Sequence, residues 1–208
     1  ELADAGTMLV VVDVNRPSIT DEPSLLRLVR TIVVLDHHRT SNEVIDNAVL
    51  SYVEPYASST CEMVAEVLQY IADGIKVRPA EADAMYAGIV IDTQNFTNQT
   101  GVRTFDAASY LRRCGADPDI VRDLFSCDFD TVKDRAAILS GARIKDGIAV
   151  ASCPKGLANA MIIAAQAADA LVNIDKVEAS FTFYYLDDGY IGVSARSRGD
   201  INVQLVME

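Results

Sequence analysis

The only two histidines of the chain are adjacent, and they follow an aspartate that closes an apolar run. His37 and His38 come directly after Asp36, which ends the run that starts at Thr31. Adjacent side chains cannot easily share one ion. We therefore expect one of the two histidines to bind a metal and the other to face a substrate.

Two further carboxylates have positions that suit the same site. Asp13 closes the apolar run that starts at Met8, and Asp92 lies near the end of a helix that Pro79 opens. Ligands of open α/β sheets bind beyond the carboxyl ends of the strands. A carboxylate at a helix C-terminus is unfavourable without a nearby cation, although Asp92 alone could simply face water. Oxygen ligands with one imidazole favour manganese or magnesium over zinc.

The composition limits the partners of such a site. The 208 residues are 50% hydrophobic and 23% charged, which is typical of a globular protein. With 18 basic and 30 acidic residues the formal charge is −12, so the chain lacks the basic face that binds duplex nucleic acid. A small phosphate substrate can still bind where a metal ion offsets the negative field.

The elements that must position these residues alternate between strands and helices in the first part of the chain. Three apolar runs predict buried strands, at Met8–Val12, Thr31–Leu35 and Ala48–Val53. Helices are predicted from 25 to 29, from 58 to 74, from 79 to 92, from 104 to 114, and after Asp117. The pattern favours an α/β fold with a parallel sheet.

The pattern changes after residue 130. Spacing predicts a helix from Asp130 to Arg143, then a strand, an alanine-rich helix and a hairpin with its turn at Asp187-Asp188-Gly189. We therefore predict a larger domain over residues 1–129, a linker helix region over 130–146 and a smaller domain over 147–208.

The four cysteines predict a reducing environment. They lie far apart and form no C-x-x-C pair, so we expect free thiols in a cytoplasmic protein. No apolar run reaches the roughly 18 residues of a membrane span, and the first residues lack the positive charge of a signal peptide.

The motifs resemble those of the DHH phosphoesterases. Asp36-His37-His38-Arg39 resembles the family signature, residues 11–17 its second acidic motif and residues 88–97 its fourth. The run 101–108, with 115–117, is similar to the cyclic-di-AMP phosphodiesterases of the GdpP type. This resemblance covers nearly the whole chain and implies a larger α/β DHH domain followed by a smaller α/β DHH-associated domain.

The resemblance also implies roles for the metal-site residues. Asp13 would bridge two manganese ions, with magnesium or cobalt as alternatives, and His37 and Asp92 would bind one of them. His38 would be the catalytic residue, donating a hydrogen bond to an oxygen of the scissile phosphate.

Four further residues are candidates for substrate binding. Arg196 and Ser197 belong to a run that resembles the substrate-contacting strand of the smaller domain, and a guanidinium suits phosphate. A solvated charge at a strand end is the alternative for Arg196. Ser59 and Thr60, at a helix start, could bind phosphate or only cap the helix. A substrate that touches both sets of residues would lie between the two domains.

The activity that the resemblance implies is manganese-dependent hydrolysis of cyclic-di-AMP to linear pApA. Short linear oligonucleotides, pyrophosphate, or nucleotide binding without catalysis are the alternatives. The family's first motif, a His with Asp-x-Asp, and its Gly-Gly-Gly-His stretch are not in these 208 residues. We therefore expect an internal fragment of a membrane-anchored parent at the cytoplasmic face, with a cyclic dinucleotide substrate and a homodimer as one option. Whether the fragment acts alone stays open.

Overall fold

The computed structural model describes residues 6–71, 74–186, 189–199 and 201–207, and the chain divides into two compact units. The first unit ends at Phe125 and the second begins at Ser126. Asp187 and Asp188, the predicted hairpin turn, lie outside the described residues.

A three-stranded parallel sheet forms the centre of the first unit, at the predicted apolar runs. The prediction of buried strands is wrong for the two outer strands, where Met8, Val10, Val12 and Leu50 are exposed. Its strands lie in the order β1-β2-β3. They are β1 (Met8–Val12), β2 (Thr31–Asp36) and β3 (Leu50–Val53). Branched apolar side chains favour this extended conformation, and one face packs Val11, Ile32 and Val34 into a buried cluster.

Parallel pairing brings the carboxyl ends of β1 and β2 to one edge of the sheet. Val12 pairs with Leu35, and the Asp13 amide donates to the Leu35 carbonyl at 3.0 Å. Asp36 is the last residue of β2 and pairs with Val53. The two aspartates that close the apolar runs therefore leave the sheet side by side.

Five α-helices and a short 3-10 helix, Pro17–Ile19, complete the first unit within the described residues. The α-helices are α1 (Leu25–Leu28), α2 (Thr60–Tyr70), α3 (Pro79–Asp92), α4 (Val102–Arg113) and α5 (Pro118–Leu124). Small and branched residues of α2, α3 and α4 form a second buried cluster that includes Ala65, Ile89 and Leu111. This cluster fixes the position of α3, which carries Asp92 at its end.

Close packing of α2 against α3 depends on Gly88. A Cβ atom at Gly88 would overlap the Sγ atom of Cys61 and lie 3.3 Å from its Cβ. Only glycine fits this crossing without movement. Because Gly88 lies one helical turn before Asp92, the contact sets how near the end of α3 comes to the start of α2.

The second unit is a mixed sheet with helices. Its elements are α6 (Phe129–Ser140), β4 (Arg143–Lys145), β5 (Ile148–Ser152), α7 (Ala160–Val172), β6 (Ala179–Tyr185), β7 (Ile191–Ser197) and α8 (Val203–Met207). The strands lie in the order β4-β5-β6-β7, with β5 and β6 parallel and both outer pairs antiparallel. Together the two units give the α/β class that was predicted.

The region predicted as a linker helix differs from the expectation in detail. Helix α6 stops at Ser140 with Gly141 as its cap, and Arg143 begins β4. Asp146 and Gly147 have φ of 49° and 79°, the left-handed values that a tight hairpin turn needs. Helix α6 also places Ile138 in the core of the second unit, beside residues of α7.

All four cysteines are free thiols. Among the described residues no helix combines the length and the apolar character that a membrane crossing requires.

Candidate metal centre

Asp13 stands at the edge of the sheet in a conformation that few residues adopt. Its φ is 64°, in the left-handed region that aspartate tolerates better than most residues. Its carboxylate is half exposed, and Oδ1 accepts a 2.9 Å hydrogen bond from the Thr60 hydroxyl at the start of α2. One carboxylate oxygen is thus held by protein, while the group stays open to a ligand.

His37 lies between two carboxylates that are far from each other in sequence. Its Nε2 atom is 3.5 Å from Asp13 Oδ1 and 3.9 Å from Asp92 Oδ2. Its side chain is only 12% exposed, so the ring has little freedom to turn away. The structure thus places both carboxylates predicted as metal ligands within 4 Å of the third predicted ligand, His37.

The surroundings of Asp92 are unfavourable for its negative charge. Burial raises the pKa of its carboxyl above the usual value, the two histidines lower it, and the negative charge of Asp13 raises it. Asp92 is also the last residue of α3, where the helix dipole is negative. A cation beside Asp13 and Asp92 would relieve all of the unfavourable contributions.

The donor set fits a hard divalent cation. The candidate donor set is the carboxylates of Asp13 and Asp92 with the His37 imidazole. The compact group of possible ligand atoms within the described residues, all within 4.8 Å of one another, contains His38 in place of Asp92. Carboxylate oxygens dominate the ligands of magnesium and manganese, and imidazole is compatible with manganese. Cys61 lines the neighbouring cleft, but burial, followed by the charges of Asp92 and Asp13, raises the pKa of its thiol to about 11.

His38 has a different partner from His37. Its Nδ1 atom lies 2.7 Å from Asp36 Oδ1, and its backbone N–H donates to the same oxygen at 3.1 Å. Asp36 is fully buried, and its Oδ2 atom has no hydrogen-bond partner among the described residues. Because a carboxylate only accepts, we assign the proton to Nδ1, which leaves Nε2 for a substrate.

Asp36 is a functional residue whose role the sequence did not show. Its place at a strand end predicted a carboxylate at the rim with Asp13. The structure instead makes it the buried partner of His38, whose ring is half exposed. The signal was its position two residues before a histidine, a spacing at which an Asp side chain often bonds nearby backbone N–H groups.

A strained turn follows Asp92. Gln94, Asn95 and Phe96 have φ of 46°, 60° and 60°, a left-handed run without glycine. The buried Thr93 secures this turn, because its hydroxyl donates to the Ile89 carbonyl at 2.6 Å and accepts from the Phe96 amide at 2.9 Å. Such strain persists only where surrounding contacts enforce it, and it often marks functional sites. Here it ends α3 directly after Asp92.

A cleft of about 450 Å³ adjoins the cluster. Its lining combines the two carboxylates with mainly apolar residues, and it consists of Val12, Asp13, Thr60, Cys61, Val64, Met85, Gly88, Ile91 and Asp92. A substrate could reach the carboxylates through this opening.

The two hydroxyl residues at the start of α2 have different roles. Ser59 is fully buried, and its side chain accepts the Glu62 amide at 3.0 Å as a helix cap. The capping alternative therefore accounts for the Ser59 side chain. Thr60 is 5% exposed and holds Asp13, so its hydroxyl acts on the candidate metal ligand.

Arg196 and Ser197, the predicted substrate residues of the second unit, lie at the end of β7. The guanidinium is paired with Asp169 of α7, with Nε 2.5 Å from Oδ1 and Nη2 3.5 Å from Oδ2. Ser197 donates its hydroxyl to the Ile201 carbonyl. Arg196 is therefore not a solvated strand-end charge. Sequence reasoning missed Asp169, because an alanine-rich helix gives no sign of its partner.

Comparison with known proteins gives a family match that contains most of these site residues. Residues 3–89 match the DHH family, N-terminal domain. The match contains Asp13 and the Asp36-His37-His38 signature, and the remaining candidate ligand, Asp92, follows it by three residues.

Two curated relatives match these residues and the residues after them. The chain is 46% identical over 209 residues, 100% of its length, to the cyclic-di-AMP phosphodiesterase GdpP of Geobacillus thermodenitrificans (strain NG80-2). It is 45% identical over 203 residues, 97% of its length, to the cyclic-di-AMP phosphodiesterase PdeA of Listeria monocytogenes serotype 1/2a (strain 10403S). The chain spans 32% and 31% of these relatives. It thus resembles the DHH phosphodiesterases of the GdpP type.

A solved structure shares the fold. The crystal structure of an exopolyphosphatase-related protein from Bacteroides fragilis superposes with a TM-score of 0.78 at 21% identity. The match covers 91% of this chain and 58% of that one. At this identity the likeness supports a shared fold alone.

Proposed function

We propose that this chain is the catalytic core of a metal-dependent phosphodiesterase that hydrolyses cyclic-di-AMP to linear pApA. The observation that carries the proposal is the meeting of Asp13, His37 and Asp92 around one imidazole nitrogen. The 46% identity with a cyclic-di-AMP phosphodiesterase supports the choice of substrate.

Manganese is the proposed cofactor, with magnesium and cobalt as alternatives. Asp13, His37 and Asp92 would hold the metal, and Asp13 would be shared with a second ion. When bound, such ions supply positive charge for the phosphate and lower the pKa of a coordinated water. Thr60 would orient Asp13 for this purpose through its hydroxyl.

His38 is the proposed catalytic residue. Asp36 holds Nδ1, so the ring is fixed with Nε2 available. A proton on Nε2 would let the ring donate to a phosphate oxygen as negative charge develops, and the buried Asp36 carboxylate would stabilise that imidazolium. Asp36 is a positioning residue by the same logic that applies to a buried aspartate beside a catalytic histidine.

Arg196 and Ser197 are the proposed substrate contacts of the second unit. Arg196 uses three N–H groups on Asp169 and on the Ala195 carbonyl. A guanidinium has five, so two stay available for phosphate oxygens. Asp169 would fix the fork, and the Ser197 hydroxyl oxygen could still accept a hydrogen bond.

A turnover assay separates this proposal from its alternatives. Cyclic-di-AMP, pApA, a short RNA and pyrophosphate are each incubated with the protein and manganese, and parallel samples contain EDTA. We expect metal-dependent conversion of cyclic-di-AMP to pApA. Faster hydrolysis of RNA or pyrophosphate would assign the site to those substrates, and metal binding without any turnover would indicate a silent module.

The location of the intact protein is also a proposal. On the basis of the resemblance, these residues act at the cytoplasmic face of the cell membrane as part of a longer protein. That longer protein would form a homodimer. Fractionation of cells that express the tagged intact protein, with size analysis after detergent extraction, checks both points.

A further inference from the structure

The first unit has a second cavity, and one of its lining residues, Arg39, directly follows His38 in the sequence. It has a volume of about 630 Å³ and is lined by Arg39, Thr40, Pro55, Tyr56 and Gln99. None of these residues lines the cleft beside Asp92. Ligand pockets typically have volumes of about 300–1,000 Å³, so this one has room for a nucleoside monophosphate.

Arg39 gives the cavity a positive charge. The residue is exposed, and within the described part of the chain its guanidinium makes no hydrogen bond or ion pair. By contrast, Arg78 and Arg103 of the same unit are both paired with glutamates. In a chain of formal charge −12, an unpaired guanidinium beside a cavity is available for an anion.

Tyr56 gives the cavity an aromatic surface. Tyr56 is 91% exposed, although it belongs to the short segment that connects β3 to α2. Pro55 restricts the backbone before it, and its own amide donates to the Glu54 carboxylate at 3.3 Å. An exposed ring on an ordered backbone suits stacking with a flat ligand such as a nucleobase.

Gln99 gives the cavity an amide in a constrained position. Its φ is 47°, which is uncommon for a residue other than glycine. Hydrogen bonds hold both neighbours, from the Asn98 amide to the Thr93 carbonyl at 2.8 Å and from the Thr100 hydroxyl to the Asn98 carbonyl at 3.0 Å. The Gln99 side chain has no hydrogen bond within the described residues. A free amide can pair with the edge of a base, as glutamine does with adenine.

We infer that this cavity is a binding site for a purine nucleotide. The base stacks on Tyr56, the Gln99 amide bonds to its edge, and Arg39 binds the phosphate. If the proposed function holds, this cavity binds one nucleotide of the substrate, because Arg39 directly follows the proposed catalytic His38. A purine offers a larger stacking surface than a pyrimidine, so we expect preference for purines.

The test is binding without metal, which keeps it independent of turnover. Calorimetric titration of the chain in EDTA with AMP and with CMP should show binding of AMP that is tighter than that of CMP. Base–aromatic stacking is worth about 1–3 kcal/mol, so Tyr56→Ala should weaken AMP binding at least about fivefold. Tyr56→Phe should retain most of the affinity, and Arg39→Ala and Gln99→Ala should each weaken it.

Matched controls are available in the same unit. Tyr70 is 83% exposed and Arg27 is exposed, and neither lines the cavity, so Tyr70→Ala and Arg27→Ala should leave AMP affinity unchanged. Photolabelling with 8-azido-AMP should modify the peptide that contains Tyr56.

The inference is overturned if AMP does not bind, if Tyr56→Ala leaves its affinity unchanged, or if the label falls on the Met85 peptide of the other cleft. These outcomes differ from failure of the proposed function. Absent turnover with AMP binding that depends on Tyr56 refutes the phosphodiesterase proposal alone. If cyclic-di-AMP is hydrolysed but AMP affinity is unchanged in Tyr56→Ala, only this subsite is refuted.

Discussion

The two units hold their charged candidate residues in opposite ways. In the first, Asp13 and Asp92 both lie beside His37, and the Asp92 pKa is raised mainly by burial. In the second, Arg196 is already matched by Asp169. The first arrangement needs an added cation to balance it, whereas the second is balanced by protein alone.

This difference separates two kinds of site. A cluster of like charges that folding has forced together is unfavourable until a ligand binds, so removing one member should change ligand binding more than it changes folding. A satisfied pair at the surface contributes little to folding, and it serves to hold one group in a fixed orientation. The predictions below probe this contrast.

The largest effect is expected for Asp13→Asn. The amide keeps the size of the carboxylate but removes the charge, so manganese affinity should fall more than about a hundredfold, beyond the roughly 10–100-fold typical of outer-sphere partners. Calorimetry with manganese measures this. Asp46→Asn removes an exposed carboxylate elsewhere in the first unit and should not change the affinity. Unaltered affinity in Asp13→Asn would show that the cluster is not a metal site.

Asp36→Asn should have the next largest effect, on turnover rather than on metal binding. The amide can present an N–H to Nδ1 and favour the wrong tautomer of His38, which should lower kcat about 10–100-fold. Rapid-quench kinetics on the intact protein, at several pH values, should show a changed pH profile as well. His38→Ala should lose turnover and keep manganese; loss of manganese with it would make His38 a ligand.

Gly88→Ala tests how far the cluster depends on helix packing. The added methyl overlaps Cys61, and overpacking of this kind costs about 1–3 kcal/mol. We expect a lower unfolding midpoint together with weaker manganese binding, because Asp92 lies at the end of the same helix. Cys61→Ala in the same chain removes the Sγ contact and leaves the 3.3 Å Cβ approach, so it should restore part of both losses. Rescue of stability without rescue of metal binding would separate packing from the site.

Arg196→Ala should raise the KM for cyclic-di-AMP while manganese affinity stays unchanged. A hydrogen bond to a charged group contributes about 1.5–3 kcal/mol, which corresponds to roughly a tenfold rise or more. Asp169→Asn leaves the guanidinium but loosens its orientation, so a smaller rise in KM is expected. If both variants keep the wild-type KM in the intact protein, the pair is structural and the contrast between the units disappears.

The sequence predicted the strands and the meeting of Asp13 and His37, because parallel strands place their carboxyl ends together whatever the rest of the fold does. It also predicted the end of α3 near Asp92. Two kinds of information were missing. The role of Asp36 depends on which way one buried side chain turns, and the pairing of Arg196 with Asp169 joins residues 27 positions apart. Periodicity contains neither. The β4–β5 hairpin was missed for another reason, because the predicted helix was extended to Arg143, the first residue of β4, just before the Asp146-Gly147 turn.

The smallest effect is expected on the stability of metal-free Asp92→Asn. This variant tests most directly whether the charge of Asp92 destabilises the first unit. The folded-state pKa of Asp92 lies above its ordinary value, so ionisation opposes folding. Above both pKa values the charged form destabilises the folded chain, and below both the proton is present in either state. In EDTA near neutral pH the variant should therefore unfold at a slightly higher temperature than the wild type. This advantage should shrink as the pH falls through the raised pKa toward the ordinary aspartate value. Manganese should reverse the order, because only the wild type keeps the ligand and gains stability by binding. A variant that is less stable than the wild type in EDTA would mean that Asp92 stabilises the metal-free fold, and the contrast with the Arg196–Asp169 pair would then be wrong.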